Sequence, residues 1–193
     1  VGAQELMLGM IDTPELVHSL LEKIHTAWEE VYERHYEIVS SVSGFSAATL
    51  EILGSGRTCN VQCDFSAMIS EEMFAEFVVP TITEQAAHVD NAMYHIDGPD
   101  ALRHVDMILQ MEDVAAVQWS PGSGNPGCED PQWGACLYNK VLSSGKALQI
   151  FVDAESVADT AARLGCRGIM MLFRVDAPEK AEQVIATVEG LCQ

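Results

Sequence analysis

Side chains suited to acid/base or metal chemistry lie at the ends of two apolar segments of the chain. Asp64 is near the end of segment 58–65, and His95 and Asp97, separated by one residue, mark the end of segment 92–96. Imidazole titrates near neutral pH, and imidazole and carboxylate both bind metal ions, so this pair suits either chemistry. Asp97 also has a structural interpretation, because Asp-Gly-Pro is a turn signal and the carboxylate can cap the next helix. Asp64 has the same two interpretations.

Further polar and aromatic residues are candidates for substrate binding. Gln118 and Trp119 precede a Gly/Pro-rich loop from residue 121 to about 131, and long loops without regular structure are usually functional. The alternative interpretation of Trp119 is packing in the core, and that of Arg103 is a surface salt bridge. The residues predicted to bind substrate are Arg103, Gln118, Trp119, Asn125, Gln149, Asp153 and Arg174.

An alternation of apolar and amphipathic segments is expected to position these residues. The five predicted strands cover residues 58–65, 92–96, 114–119, 147–152 and 168–173. A helix is predicted after each strand, and Ser70 is the expected N-cap of the first. A long helix over 13–39 precedes the strands, with Thr13 as its cap, and its His18, His25 and His35 are expected on the surface. Five such strand–helix units predict a parallel sheet with helices outside it.

The charge balance excludes several classes of partner. With 10 Lys and Arg against 29 Asp and Glu, the chain of 193 residues has a formal net charge of −19. Binding to a phosphate backbone needs clustered Lys and Arg, so nucleic acid and anionic membranes are not expected as partners. A hydrophobic content of 48% is typical of a globular protein, and no apolar run reaches the roughly 18 residues of a membrane helix. One domain over residues 1–193 is expected.

The cysteine content favours a cytoplasmic protein with reduced thiols. Six cysteines are spread along the chain without zinc-finger or Cys-x-x-Cys spacing, and a chain of this length does not need disulfides for stability. No signal peptide opens the sequence. The first residues, from Val1 onward, are typical of the middle of a protein, so a truncated chain is expected.

Two architectures fit five strand–helix units: an open doubly wound sheet and part of an eight-stranded barrel. No glycine-rich phosphate loop follows any strand at the spacing of a dinucleotide-binding fold. In a (β/α)8 barrel the chemistry lies on the loops after the strands, where many of the candidate residues also fall. The barrel is therefore the preferred prediction.

Several stretches, in order along the chain, resemble the C-terminal part of the uroporphyrinogen decarboxylase superfamily. They are Cys63-Asp-Phe-Ser-Ala-Met-Ile-Ser70, Met73-Phe74, Phe77-Val-Val-Pro80, Tyr94-His-Ile-Asp-Gly-Pro99, Gln118-Trp119 and Leu148-Gln-Ile-Phe-Val-Asp153. The resemblance runs from about residue 5 to 190 and implies a TIM barrel of the uroporphyrinogen decarboxylase and methionine synthase type. By that order the five strands are the fourth to the eighth, and the N-terminal strands are expected to be missing. Because a part-barrel leaves open strand edges, either the missing N-terminal segment or self-association is expected to cover them.

The superfamily contains the haem-pathway decarboxylase and cobalamin-dependent methyltransferases, which move a methyl group from a corrinoid protein to a small acceptor. In the thiol-directed methyltransferases a His-x-Cys pair and a later Cys bind zinc, which activates the acceptor thiol. The matching stretch here is His95-Ile-Asp97, so the resemblance implies a metal site with His95 and Asp97 as its first ligands. Cys63 and Asp64 are candidates for the third. Zinc, and a corrinoid carried by a partner protein, are the implied cofactors.

A methyltransferase-like enzyme is the function that the resemblance favours, with Asp64, His95 and Asp97 as its catalytic residues. The alternative is a decarboxylase acting on a porphyrinogen or a smaller carboxylate. A polycarboxylate substrate requires arginines, and few stand near the predicted strand ends. A second alternative is a non-catalytic barrel that binds a small ligand.

Overall fold

The structure is a computed structural model that describes residues 2–192, and the first part of this chain is helical. Helix α1 covers Ala3–Asp12, and helix α2 covers Pro14–Val42, a length of 29 residues. Thr13 stands at the N-cap position of α2 as predicted. Its hydroxyl donates to the Gly9 carbonyl of α1 (3.4 Å) and makes no capping bond to the α2 backbone. The predicted long helix is therefore confirmed, whereas α1 was not predicted.

An antiparallel hairpin that the sequence pattern did not predict follows α2. Strand β1 (Phe45–Ala48) pairs with β2 (Ile52–Ser55), and the turn between them contains Glu51 at a φ of 59°. Each strand has four residues and lacks the buried apolar run that marks the later strands. The hydroxyl of Ser46 accepts from the backbone N–H of Thr58 (2.9 Å), which ties the hairpin to the start of the main sheet.

Five parallel strands in chain order form the central sheet. They are β3 (Thr58–Gln62), β4 (Asn91–Asp97), β5 (Val114–Ser120), β6 (Ala147–Phe151) and β7 (Ile169–Leu172). All five predicted strands are confirmed. The largest difference is at the end of the first, which was predicted to reach residue 65, because Asp64–Met68 forms a 3-10 helix instead.

Helices follow each strand and flank the sheet. They are α3 (Glu71–Met73), which continues through a π-helical turn (Phe74–Val78) into α4 (Val79–His88), then α5 (Val105–Gln110), α6 (Asn139–Ser143), α7 (Val157–Leu164) and α8 (Pro178–Leu191). Ser70 is confirmed as an N-cap, since its hydroxyl accepts from the N–H of Met73 (3.2 Å). The chain is therefore an α/β protein with a five-stranded parallel sheet flanked by helices. Within residues 2–192, no helix combines the length and apolar content needed to cross a bilayer.

One face of the sheet is apolar and belongs to the hydrophobic core. The strand register aligns Val61, Tyr94, Val117 and Leu148 as neighbours across β3 to β6, and each is at most 2% exposed. These side chains are buried together with apolar residues of the flanking helices. Because neighbouring residues on a strand point to opposite faces, the residues next to this row share the second face.

The prediction of reduced thiols is wrong for two of the six cysteines. Cys166 and Cys192 form a disulfide, which joins the segment before β7 to the end of α8. The two residues are 26 positions apart in the sequence, but α8 folds back so that their Cα atoms lie 5.7 Å apart. This distance is within the range of a disulfide, and sequence spacing alone does not show it.

The histidines of α2 differ in their surroundings. His18 stacks on Phe77 with ring centroids 4.7 Å apart. The side chain of His25 is 13% exposed and contacts the carboxylates of Glu29 and Glu84 at 3.2 and 3.5 Å. The prediction of a surface position is therefore wrong for His25, which is largely buried where α2 packs against α4. The side chain of His18 is 44% exposed, and His35 is exposed as predicted.

Candidate functional site

Polar side chains form a row across the second face of the sheet. The register aligns Gln62, His95, Gln118 and Gln149 as neighbours on β3, β4, β5 and β6, and Met170 continues the row on β7. Gln118 and Gln149 are each 1% exposed, whereas His95 is half-buried. We call these five residues the polar row. The structure thus brings together three predicted site residues that lie far apart in the sequence.

Gln118 holds His95 in one tautomer. The side-chain amide of Gln118 donates from Nε2 to the carbonyl of Trp119 (2.7 Å), which leaves Oε1 facing Nδ1 of His95 at hydrogen-bonding distance. An amide oxygen only accepts hydrogen bonds, so Nδ1 carries the proton and the neutral ring keeps its lone pair at Nε2. Nε2 of His95 is therefore the ring nitrogen left for another partner while Nδ1 stays bonded to Gln118.

The turn of the β1–β2 hairpin covers part of the polar row. The carbonyl of Leu50 accepts from Nε2 of Gln149 (2.8 Å), whereas Oε1 of Gln149 is buried and has no partner among the described residues. Glu51, the next residue of the turn, pairs with Arg174 after β7, with Oε1 and Nη2 3.3 Å apart. An unpaired buried oxygen is costly, so a ligand or a water molecule that donates to Gln149 would be stabilised here.

Asp64 and Asp97 are exposed at the carboxyl edge of the sheet. Asp64 accepts a hydrogen bond from Nε2 of Gln62 (3.3 Å), which links it to the polar row. Asp97 is the last residue of β4, and its neighbour in the register is Ser120 on β5. Gly98 occupies the N-cap position of the following 3-10 helix, so Asp97 does not cap it. Both carboxylates are therefore accessible from solvent.

Asn125 and Arg103 interact with their own segments of the chain. Asn125 donates from Nδ2 to the carbonyl of Pro121 (2.7 Å), which stabilises the loop after β5. Arg103 donates from Nε to the carbonyl of Asp100 (2.8 Å), and its Nη2 lies 3.8 Å from the Asp100 carboxylate. Arg103 therefore makes the surface pair that was the alternative to substrate binding.

A cavity of about 510 Å³ opens at the carboxyl ends of β5, β6 and β7. Three of the predicted site residues, Trp119, Asp153 and Arg174, line it together with Phe151 and Glu129. Ligand sites of open parallel sheets and of barrels lie at this edge, where the loops after the strands are free to vary. The position of the cavity agrees with that rule.

The polar row lies one layer below this cavity. Phe151, which lines the cavity, and Gln149 are two residues apart on β6, so their side chains point to the same face. Asp64, His95 and Asp97 are not among the residues that line the cavity. The predicted catalytic residues therefore lie on β4 and the loop after β3, beside the predicted substrate-binding residues of β5 to β7.

The charged groups of the cavity are mainly acidic. Glu129 and Asp153 contribute two carboxylates, and Arg174 contributes one guanidinium, which is already paired with Glu51. The buried Cys128 also lines the cavity, but burial raises the pKa of its thiol to about 11. A thiol in this state is not an activated nucleophile at neutral pH. The lining therefore favours neutral or cationic ligands over polyanionic ones.

Trp119 is both a core residue and part of the cavity wall. Its side chain is 0% exposed and packs edge-on against Trp133, with ring centroids 5.0 Å apart. It points away from the polar row because it is the immediate neighbour of Gln118 on β5. Trp119 therefore fits both of its interpretations, since it packs in the core and also lines the cavity as an apolar wall.

The described residues do not by themselves complete a metal site. Among residues 2–192, no three His, Cys, Asp or Glu side chains lie together as a metal-binding group. Of the two predicted ligands, His95 has Nδ1 bonded to Gln118, which leaves Nε2 for other partners. Zinc bound by His95 and Asp97 stays a prediction.

The sequence pattern did not single out several residues of the site. The turn residues Leu50 and Glu51 were missed because β1 and β2 are too short to give a strand signal. Glu129 and Cys128 lie in the Gly/Pro-rich loop that was predicted to be functional, but nothing in that loop distinguished them from their neighbours. The loop length was the one signal that pointed to them.

Comparison of the chain with models of protein families, with curated proteins and with solved structures returned no match. The resemblance to the uroporphyrinogen decarboxylase superfamily rests on the sequence motifs alone and stays a prediction.

Proposed function

We propose that the chain is the C-terminal part of a (β/α)8 barrel enzyme of the uroporphyrinogen decarboxylase superfamily that transfers a methyl group to a small acceptor. The order of the sheet supports the barrel. Its five parallel strands follow the chain order without a reversal, whereas the order of a doubly wound sheet reverses at a switch point. The superfamily motifs lie on β3 to β6 and the segments that follow them.

The observation that carries the functional proposal is the pairing of an acidic cavity with an oriented histidine. The cavity offers the carboxylates of Glu129 and Asp153, and beside it His95 presents an unprotonated Nε2. A site of this charge suits an acceptor that is neutral or cationic, such as a thiol, a phenol or an amine. Neither Gln118 nor His95 lines the cavity, so the proposal requires an acceptor bound there to extend past β5 towards His95 on the neighbouring strand β4.

The role of His95 is to remove a proton from the acceptor. The acceptor atom is a stronger nucleophile without its proton, and general-base catalysis of this kind contributes about 10²–10⁴-fold in rate. Gln118 is a positioning residue, because it stabilises the tautomer whose lone pair is at Nε2. A methylcorrinoid carried by a partner protein would supply the methyl group as an electrophile to the deprotonated acceptor.

The charge of the cavity argues against the decarboxylase alternative. Uroporphyrinogen carries many carboxylates, and their recognition calls for several arginines. The cavity has one arginine, Arg174, against two carboxylates, and Arg103 is held at the surface by Asp100. A non-catalytic ligand-binding barrel remains the second alternative, because the buried Oε1 of Gln149 suits ligand binding as well as turnover.

One experiment separates the three functions. The protein is incubated with methylcobalamin and a panel of thiols, phenols and amines, and methylated products are measured by mass spectrometry. A parallel incubation with uroporphyrinogen is assayed for released carbon dioxide. We expect methylated product and no carbon dioxide. Carbon dioxide release would establish the decarboxylase, and ligand binding without any product would establish the binding protein.

Two variants connect the reaction to the cavity. Asp153→Asn removes one carboxylate, so we expect the KM of a cationic acceptor to rise about fivefold and that of a neutral acceptor to stay unchanged. Asp159→Asn, on the exposed surface of α7, is the matched control and leaves both values unchanged. An equal effect of Asp153→Asn on both acceptors would contradict the proposed charge selection.

A further inference from the structure

The solvent side of the two N-terminal helices exposes many large apolar residues. On α2, seven exposed apolar residues lie along one side of the helix, and we call them the α2 stripe: Leu16, Leu20, Ile24, Ala27, Val31, Ile38 and Val42. Ile24 is 63% exposed and Ile38 is 66% exposed. A contiguous exposed apolar surface of this kind marks an interaction site in a soluble protein.

The spacing of the stripe is that of a coiled-coil seam. Successive members are three, four or seven residues apart, which keeps them on one side of a helix. The opposite side of α2 packs against the rest of the chain, since the hydroxyl of Tyr32 donates to the Thr58 carbonyl (3.2 Å) and His25 contacts Glu84. The stripe extends over about 39 Å at 1.5 Å per residue, so it offers a long straight surface to a second helix.

We propose that the α2 stripe pairs with the α2 stripe of a second copy of this chain, in antiparallel orientation. The charges beside the stripe select this occupant and this orientation. Lys23, Glu30 and Glu37 follow one another at intervals of seven residues along one flank. In an antiparallel pair centred near Glu30, Lys23 of each copy faces Glu37 of the other, which forms two opposite-charge contacts. A parallel pair would place this flank against the opposite flank of the partner helix, so Lys23 and Glu37 would not meet.

The remaining features of the surface fit the same arrangement. Glu30 meets its own equivalent near the axis, and the exposed Arg34, one turn away, places a guanidinium beside the two carboxylates. Leu8 and Ile11 on α1 are exposed near the start of α2, and Phe45 is exposed just beyond its end. Antiparallel pairing brings these two apolar ends together at both ends of the interface.

The first test is the mass of the protein in solution, measured by sedimentation equilibrium at about 0.15 M salt, where a Debye length of about 8 Å screens the charge of each copy. We expect a dimer at micromolar concentration. Ile38→Glu introduces two buried charges per dimer and is expected to weaken association more than 100-fold. Ile185→Glu, on the exposed face of α8, is the matched control and leaves the dimer intact. Circular dichroism checks that each variant is folded.

The second test is specific to the orientation. Lys23→Glu places carboxylates against Glu37, and we expect it to weaken association about 10-fold. The double variant Lys23→Glu with Glu37→Lys reverses both members of the contact and is expected to restore wild-type affinity. A wild-type monomer at 100 micromolar would overturn the proposal. A dimer that Ile38→Glu leaves unchanged, or a double variant as weak as the single one, would do the same.

Discussion

The bond between Gln118 and His95 gives a prediction that is independent of the reaction. The variant Gln118→Met keeps the size and flexibility of the side chain but removes both polar groups. Without Oε1 as its acceptor, Nδ1 of His95 loses the bond that fixes the tautomer. We therefore expect the neutral ring to change from the Nδ1–H tautomer to a mixture with substantial Nε2–H.

The cost in stability follows from the bonds that are lost. Gln118 makes two side-chain hydrogen bonds, and each contributes about 1 kcal/mol to the free energy of unfolding. His95 is half-buried and can bond to water instead, and the carbonyl of Trp119 still accepts from the thiol of Cys128 (3.6 Å). We expect the variant to be destabilised by about 1–2 kcal/mol, at the lower part of the range for buried polar groups.

The assays are nitrogen NMR of the imidazole ring for the tautomer and urea unfolding for the stability. Gln149→Met is the matched control, since Gln149 is equally buried, lies next to Gln118 in the polar row, and does not contact His95. The control should leave the tautomer of His95 unchanged. The same Nδ1–H tautomer in wild type and in Gln118→Met would refute the assigned role of Gln118.

Two further predictions concern stability away from the site. Cys166→Ser removes the disulfide with Cys192, and closing a loop of 26 residues stabilises the folded protein by about 3–4 kcal/mol. The midpoint temperature of unfolding should therefore fall strongly and become insensitive to reductant. An unchanged midpoint would contradict a disulfide in the folded protein. The side-chain hydrogen bonds of Arg57, followed by that of His88, hold the pKa of Glu33 below its usual value. The stabilisation by Glu33 should therefore be complete above the pKa of the unfolded chain, near 4, and be lost as the pH falls through the lower pKa of the folded protein. In urea titrations the difference between wild type and Glu33→Gln should shrink below pH 4, and a constant difference down to pH 2 would refute this role.

The central strands β4, β5 and β6 could be predicted because most of their residues are buried. The residues of β4 and β5 form apolar runs with a turn signal after them, and both bounds agree with the prediction to within one residue. The hairpin β1–β2 could not be predicted in this way. Its strands are short and half-exposed, and it is positioned by distant contacts such as Leu50 with Gln149.

The candidate site was predictable as a set of residues but not as an arrangement. His95 and Gln118 were selected from their places near strand ends and Gln149 lies in a stretch that carries the family resemblance, yet their neighbourhood depends on the strand register. The pairing of Cys166 with Cys192 is a similar case, because it depends on how α8 folds back against α7. Interactions between distant segments are set by tertiary packing, which a local sequence pattern does not encode.

The most direct test of the central claim is the rate of methyl transfer by a His95→Ala variant, measured with saturating acceptor and methylcobalamin. If His95 is the base, kcat falls about 10²–10⁴-fold. The dissociation constant of the acceptor stays near its wild-type value, because the cavity residues are intact. His35→Ala, which alters an exposed histidine of α2, keeps the wild-type rate. A His95→Ala variant with the full rate of methyl transfer would contradict the account.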